Sequence, residues 1–357
     1  MVAAGMWDVW RVGLQAALVA AVGAVTYRVL LPAAPTKAHR RIQWLTGVGL
    51  ASVLVVSSTF LVASTHSPQA RMTGHHLVSF LLSGSTFLAL SRVLTATIIG
   101  HDAQLPPRTL LTLPKYLLAF FTAPLSLRSV APETSACQRY RGRWDEVPGR
   151  LLLKIAILFV TLRYGVALHV RWVDQSLWYC SMVGNVVFYL LLSGTEDAFA
   201  LVLELGAGLH FWPSFDAPWL ANSFRDFWSF RWHTPFRDMN VAIVRAARAA
   251  GWPTPIAISL IYIYTAACHA GQLYLTIHEV PLGIVSFFLV AGTLALFEDP
   301  LWRVLDPLLR CAPSKSGRHW LRRAIVLGVL CALSPLFWFS FWEHRFLQAL
   351  CRVFDLM

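Results

Sequence analysis

Two residues with the means to do acid–base chemistry stand in unusual places. The first is His269, in the apolar run Ile-Tyr-Ile-Tyr-Thr-Ala-Ala-Cys-His-Ala-Gly at 261–271. At 1.5 Å per residue it lies about 20 Å along its helix. A polar group at such depth in hydrocarbon is costly and ordinarily faces a cavity or a partner. Its neighbours Thr265, Ala266, Ala267, Ala270 and Gly271 are small, so another helix or a substrate can come close. Either the imidazole bonds across helices as a structural group, or it serves as a general base, for which neutral His is suited at cellular pH.

The second is His233, in Asn222-Ser-Phe-Arg-Asp-Phe-Trp-Ser-Phe-Arg-Trp-His-Thr-Pro-Phe-Arg237. Ser223 with Asp226 three residues on resembles a capping box, and Pro235 stops or bends a helix. The pattern predicts an amphipathic helix of roughly three turns between them. Phe224, Phe227, Trp228 and Arg231 would share one face, and Asp226, Ser229 and His233 another. An interfacial helix with aromatic rings at headgroup depth and snorkelling arginines explains the tryptophans. It explains less well a polar stripe holding both Asp226 and His233.

These elements must sit in a membrane. The 357 residues are 57% hydrophobic and only 13% charged, with mean hydropathy +0.57. So few charges cannot cover a water-soluble surface, which excludes a soluble enzyme, a disordered chain and a disulfide-stapled secreted domain. The six cysteines lack C-x-x-C pairing and read as small hydrophobes. Stretches of about 20 apolar residues predict spans at Val12–Leu31, Trp44–Ala63, Val78–Ile99, Leu151–Val170, Ile256–Leu275, Pro281–Phe297 and Ile325–Trp342. Trp178–Leu209, interrupted by Gly194, Glu196 and Asp197, reads as a span followed by a short helix. Leu117–Leu127, too short to cross and holding Pro124, reads as interfacial.

The expected architecture is therefore all-α, a polytopic transmembrane bundle of about eight spans forming one domain over 1–357. The net charge of +12 then speaks of topology rather than nucleic acid. Alternate loops hold 21 Lys and Arg against five on the other side, which puts the long loops, including 210–255, in the cytosol and both termini opposite. Arg92, Lys154 and Arg163 within spans, and Glu196 and Asp197, either pair internally or line a polar chamber. No H-E-x-x-H, G-x-S-x-G, P-loop or H-x-x-x-D motif is present, and no metal is expected.

The block 222–237 resembles the signature of the wax synthase-like branch of the membrane-bound O-acyltransferases, roughly S-x-R-D/E-F-W-x-x-R-W-H. Ser223, Arg225, Asp226, Phe227, Trp228, Arg231, Trp232 and His233 match it. His269 follows 36 residues later, in the long apolar helix where that superfamily keeps its catalytic histidine. Segment 140–148, with Arg141-Gly-Arg-Trp144 and Pro148, weakly resembles a fungal variant. Ser229-Phe230 departs from a small-residue/Arg pair, and Ala270 stands where Glu often follows the histidine. That second departure leaves His233 or a backbone carbonyl to orient His269.

The resemblance implies acyl transfer from coenzyme A to a hydroxyl on an apolar acceptor. His269 would be the base, and His233 would polarise the carbonyl. Asn222, Arg225, Asp226, Trp228, Arg231, Trp232 and Arg237 would form the acyl-CoA mouth, the arginines meeting phosphates. Acyl-CoA or acetyl-CoA is then a co-substrate, with no cofactor. The other partners are an alcohol (fatty or terpenoid) and membrane lipid, in the endoplasmic reticulum. The competing class is a transporter using Arg92, Lys154, Arg163 and His269 as a relay, which predicts paired broken helices in two related halves. The charge bias makes a direct prediction: in sealed microsomes, a cysteine placed at Ala250 reacts with an impermeant maleimide from outside, whereas protection until detergent is added would invert the topology.

Overall fold

The computed structural model describes residues 2–26, scattered positions between 43 and 97, residues 126–127, and 147–356 apart from 208–210, 213, 278 and 311–313. Among these residues the regular structure is helical, except for a two-residue antiparallel pairing of β1 (Ser126–Leu127) with β2 (Phe211–Trp212). The helices begin with α1 (Val2–Val25), α2 (Val147–Val160), α3 (Val170–Gln175) and α4 (Leu177–Ala207). A single turn, α5 (Phe224–Asp226), is followed by α6 (Thr234–Ala249), α7 (Thr254–Ile277) and α8 (Leu282–Leu296). The chain closes with α9 (Glu298–Arg310), α10 (Lys315–Glu343) and α11 (Phe346–Val353).

Among the described residues three helices are long and apolar enough to cross a membrane: Leu177–Val202, Thr254–Ile277 and Lys315–Glu343. A fourth span arises if Leu282–Leu296 and Glu298–Pro307, bent by 67°, count as one. The described residues thus carry three to four candidate spans, of the about eight expected over the whole chain. The spans expected at 44–63 and 78–99, and most of 117–127, lie largely outside them. Apolar Gly13–Val25 of α1 is short for a span. The stretch 151–170 is split: α2 passes into a wider π-helical turn, Thr161–Ala167.

The expected break after residue 193 does not occur, because α4 runs unbroken through Gly194, Glu196 and Asp197. The reason is long-range neutralisation. The Asp197 carboxylate accepts from Arg150 Nη2 at 2.6 Å and Nε at 3.0 Å, and from Lys154 Nζ at 2.6 Å. Lys154 also donates to the Ser193 carbonyl at 3.2 Å. Charges that look like a helix terminator in one dimension are here paired across α2 and α4, which tolerates their burial.

α7 packs most extensively on α8, α8 also on α10, and α10 on α4. Glycines set these distances, Gly283 on α8 meeting the Leu336 backbone of α10. A Cβ on Gly292 would stand 2.7 Å from the Tyr262 ring, and one on Gly184 2.6 Å from the Trp338 ring, so only glycine admits those contacts. Pro335 inside α10 removes the N–H that would bond the Cys331 carbonyl, and Ser334 Oγ donates to that carbonyl instead, at 2.8 Å. Outward-facing Leu152, Leu153, Phe159, Ile256 and Ile263 are exposed, a distribution that suits lipid rather than water.

The ion cluster yields a stability prediction. Asp197→Leu strands Lys154 and should cost about 3–5 kcal/mol, read as a lower thermal midpoint in detergent. Adding Lys154→Met should recover much of the loss. An equal loss in both variants would show the pairing to be immaterial.

Candidate functional site

The segment 222–237 is built from its capping residues outward. Ser223, in extended backbone, accepts from the Asp226 N–H at 2.9 Å, as the capping pattern predicts. The reciprocal bond falls one residue further out: Asp226 Oδ2 accepts from the Asn222 N–H at 3.0 Å, and also from Arg231 Nε at 2.9 Å. The freed N–H groups of the turn go to Glu298. Its Oε1 accepts from Phe224 N at 2.7 Å and Trp302 Nε1 at 3.0 Å, and its Oε2 from Arg225 N at 3.1 Å. A carboxylate is the natural partner for a helix N-terminus. Glu298 is buried, only 2% exposed, so its charge is balanced within the protein.

The segment is not one amphipathic helix. After a single α turn it widens into a π-helical turn, Phe227–Arg231, closed by Trp232 N–H to the Phe227 carbonyl at 2.7 Å. Trp232 is extended, His233 takes the left-handed conformation at φ 55°, and α6 starts at Thr234. Pro235 therefore opens a helix, where its missing N–H costs nothing, rather than stopping one. The shared polar stripe is lost with the regular helix. Asp226 turns to Arg231, while His233 Nε2 lies 3.2 Å from Oε1 of Glu196. That contact is a close approach of an imidazole nitrogen to a carboxylate oxygen rather than an aligned hydrogen bond.

Aromatic rings join the two histidines. His233 stacks on Phe236 with centroids 4.5 Å apart and meets Phe215 at 5.4 Å. Phe215 meets Trp232 at 5.0 Å, Trp232 meets Trp228 at 6.5 Å, and Trp228 meets Phe288 at 6.3 Å. Phe288 lies 4.6 Å from the His269 ring. His269 and His233 are within electrostatic range of each other. His269 Nδ1 is 2.9 Å from the Thr265 carbonyl. A carbonyl only accepts, so Nδ1 carries the proton and Nε2 presents a lone pair. Of the two orienting groups open from sequence, the backbone carbonyl is the one engaged.

The expected mouth residues divide. Arg225 donates to the Ala295 carbonyl at 2.9 Å and pairs with Asp299 at 3.0 Å. Arg231 pairs with Asp226 and donates to the Asp216 carbonyl at 3.1 Å. Asn222 Oδ1 accepts from Arg323 Nε at 3.1 Å. Arg237 lies over the Phe230 ring, 4.6 Å from its centroid, and has no carboxylate partner among the described residues. Trp228 and Trp232 line the aromatic path. Of the residues expected in a transporter relay, Lys154 goes to Asp197 and Arg163 Nη1 to the Leu356 carbonyl at 2.7 Å. Arg92 lies outside the described residues. Among the described residues no three His, Cys, Asp or Glu side chains gather as metal ligands.

Sequence reasoning missed four contributors: Glu196 as the partner of His233, Glu298 as the clamp, and Phe215 and Phe288 as bridging rings. Glu298 carried a signal, an acid at the end of the apolar run 281–297, and so did Glu196, an acid within the apolar stretch 178–209; the two phenylalanines carried none. Scans against protein-family models and curated proteins find no match to this chain.

The left-handed backbone at 233 is open to test. His233→Gly and His233→Ala both delete the ring, yet alanine there costs roughly 1–2 kcal/mol of strain that glycine avoids. The glycine variant should have the higher thermal midpoint. Equal midpoints, or a more stable alanine variant, would contradict the conformation.

Proposed function

We propose that the chain is an acyl-CoA-dependent O-acyltransferase, wax synthase-like, that esterifies a hydroxyl on a hydrophobic acceptor. The observation that carries this reading is the wiring of His269. With Nδ1 held by the Thr265 carbonyl, Nε2 is left as a proton acceptor. The side chain is half-buried, its ring 4.6 Å from that of Phe288.

In the reaction, Nε2 of His269 takes the proton from the acceptor alcohol as its oxygen attacks the thioester carbonyl. The C–O bond forms, the C–S bond breaks, and the departing CoA thiolate recovers the proton from the imidazolium. An alcohol is a poor nucleophile until a base assists, and such help is worth about 10²–10⁴-fold. Holding thioester and alcohol together in a dry site adds a proximity gain. His233, held beside Glu196, polarises the carbonyl and stabilises the developing oxyanion.

The arginines divide between two tasks on this reading. Arg225 and Arg231 act through their carboxylate pairs, holding the loop in shape. Arg237 meets the CoA phosphates, for which a guanidinium without a carboxylate partner is suited. The enzyme works in the endoplasmic reticulum membrane, with its long loops facing the cytosol where CoA esters occur. The acceptor is a fatty alcohol or a hydroxylated terpenoid.

The test supplies acetyl-CoA and palmitoyl-CoA side by side, each with a fatty alcohol and a terpenoid alcohol. The wild-type protein should form ester with one pairing. His269→Ala, at equal membrane abundance, should lose about 10²–10⁴-fold of that rate. Undiminished turnover in the variant would remove the base assignment.

A further inference from the structure

The polar atoms along the aromatic path are few. Most of those in the 222–237 segment are used up by the protein itself, through Glu298, Asp299, Asp226 and Asp216. One is not. The indole N–H of Trp228 is buried and has no hydrogen-bond partner among the described residues. Its ring is flanked by Phe227 at 4.9 Å, Phe287 at 6.1 Å, Phe288 at 6.3 Å and Trp232 at 6.5 Å. The three phenylalanines bring no acceptor, and the Trp232 indole is donor-only as well.

A buried indole N–H normally finds an acceptor, and leaving one unmet is unfavourable. A sequence selected only for packing would place phenylalanine at 228. Trp228 packs against two hydrophobic clusters of the described residues, which explains a large ring there but not its N–H. The Trp228 ring is one ring away from that of His269, because Phe288 packs against both.

We infer that the Trp228 indole N–H is a hydrogen-bond donor to the carbonyl oxygen of the acyl thioester. This deepens the acyltransferase reading and rests on it. The role is electrostatic. As the alcohol oxygen adds to the carbonyl carbon, negative charge builds on the carbonyl oxygen, and a fixed donor there strengthens its bond as the charge grows. The indole proton stays on nitrogen throughout. The alcohol proton goes to His269 and then to the CoA thiolate, so Trp228 adds no step and needs no co-reactant.

The test pairs binding with turnover. Palmitoyl-CoA and acetyl-CoA are each compared with the thioether analogue in which CH₂ replaces the thioester C=O, and the thermal shift of the purified full chain is read. Wild type should be stabilised more by the thioester than by the thioether. Trp228→Phe should be stabilised equally by both and should lose about 10²-fold in kcat, the usual effect of removing one such donor. The ligand-free thermal midpoint is read on the isosteric replacement below, where it should not fall, since an unmet donor is removed without loss of ring volume. Replacing Trp228 with benzothienylalanine, which keeps the ring size but lacks the N–H, should behave the same way and guards against a packing defect. If wild type makes ester but does not distinguish thioester from thioether, or if the N–H-free variants keep full kcat, the donor assignment is wrong and the enzyme reading stands. If wild type makes no ester and neither analogue shifts its midpoint, the enzyme reading falls and the donor assignment falls with it.

Discussion

Glu298 sits at the bend between α8 and α9, and its carboxylate accepts the first N–H groups of the Phe224 turn and the indole N–H of Trp302. Everything around the two histidines hangs on this attachment. It fixes the start of the 222–237 segment against the C-terminal end of α8, the helix that also carries Phe287 and Phe288. Once the segment is pinned there, Trp228 falls against those two phenylalanines, and Phe288 in turn touches His269 on α7. A buried carboxylate bonded to backbone N–H groups is a strong, directional anchor. A hydrophobic contact at the same place would allow the loop to slide along the bundle.

The far end of the segment is set by conformation. The π-helical turn and extended Trp232 deliver His233 in a left-handed conformation, one that histidine and asparagine tolerate better than most side chains. The ring then meets Glu196, on a helix that continues through two acids because Asp197 is neutralised by Arg150 and Lys154. A charge cluster that could have ended α4 instead lets it run on and present Glu196 to the site.

Much of this is legible in the residues, and the failures have identifiable causes. The Ser223–Asp226 cap is legible because capping is local, decided within four residues. The small-residue patch around His269 is legible because helical spacing alone puts it there. The single-helix expectation for 222–237 fails because a π-helical turn has no residue signature; Pro235 looks like a stop, but the chain has already left the helix at Trp232. The expected break in α4 fails because its compensating cations lie 43 and 47 residues away, on α2. Glu298 is 74 residues from the N–H group it serves. Long-range carboxylate pairing is what one-dimensional periodicity misses, and here it governs both ends of the site.

The central claim is that the segment 222–237 and the middle of α7 converge on one reaction space. A cryo-electron microscopy map of the protein in lipid nanodiscs with the thioether analogue of palmitoyl-CoA tests it most directly. The account predicts the analogue's sulfur between the rings of His233 and His269, beside Trp228, with the acyl chain running into the bundle. The two imidazoles on separate outer surfaces, or the analogue bound away from both, would contradict it.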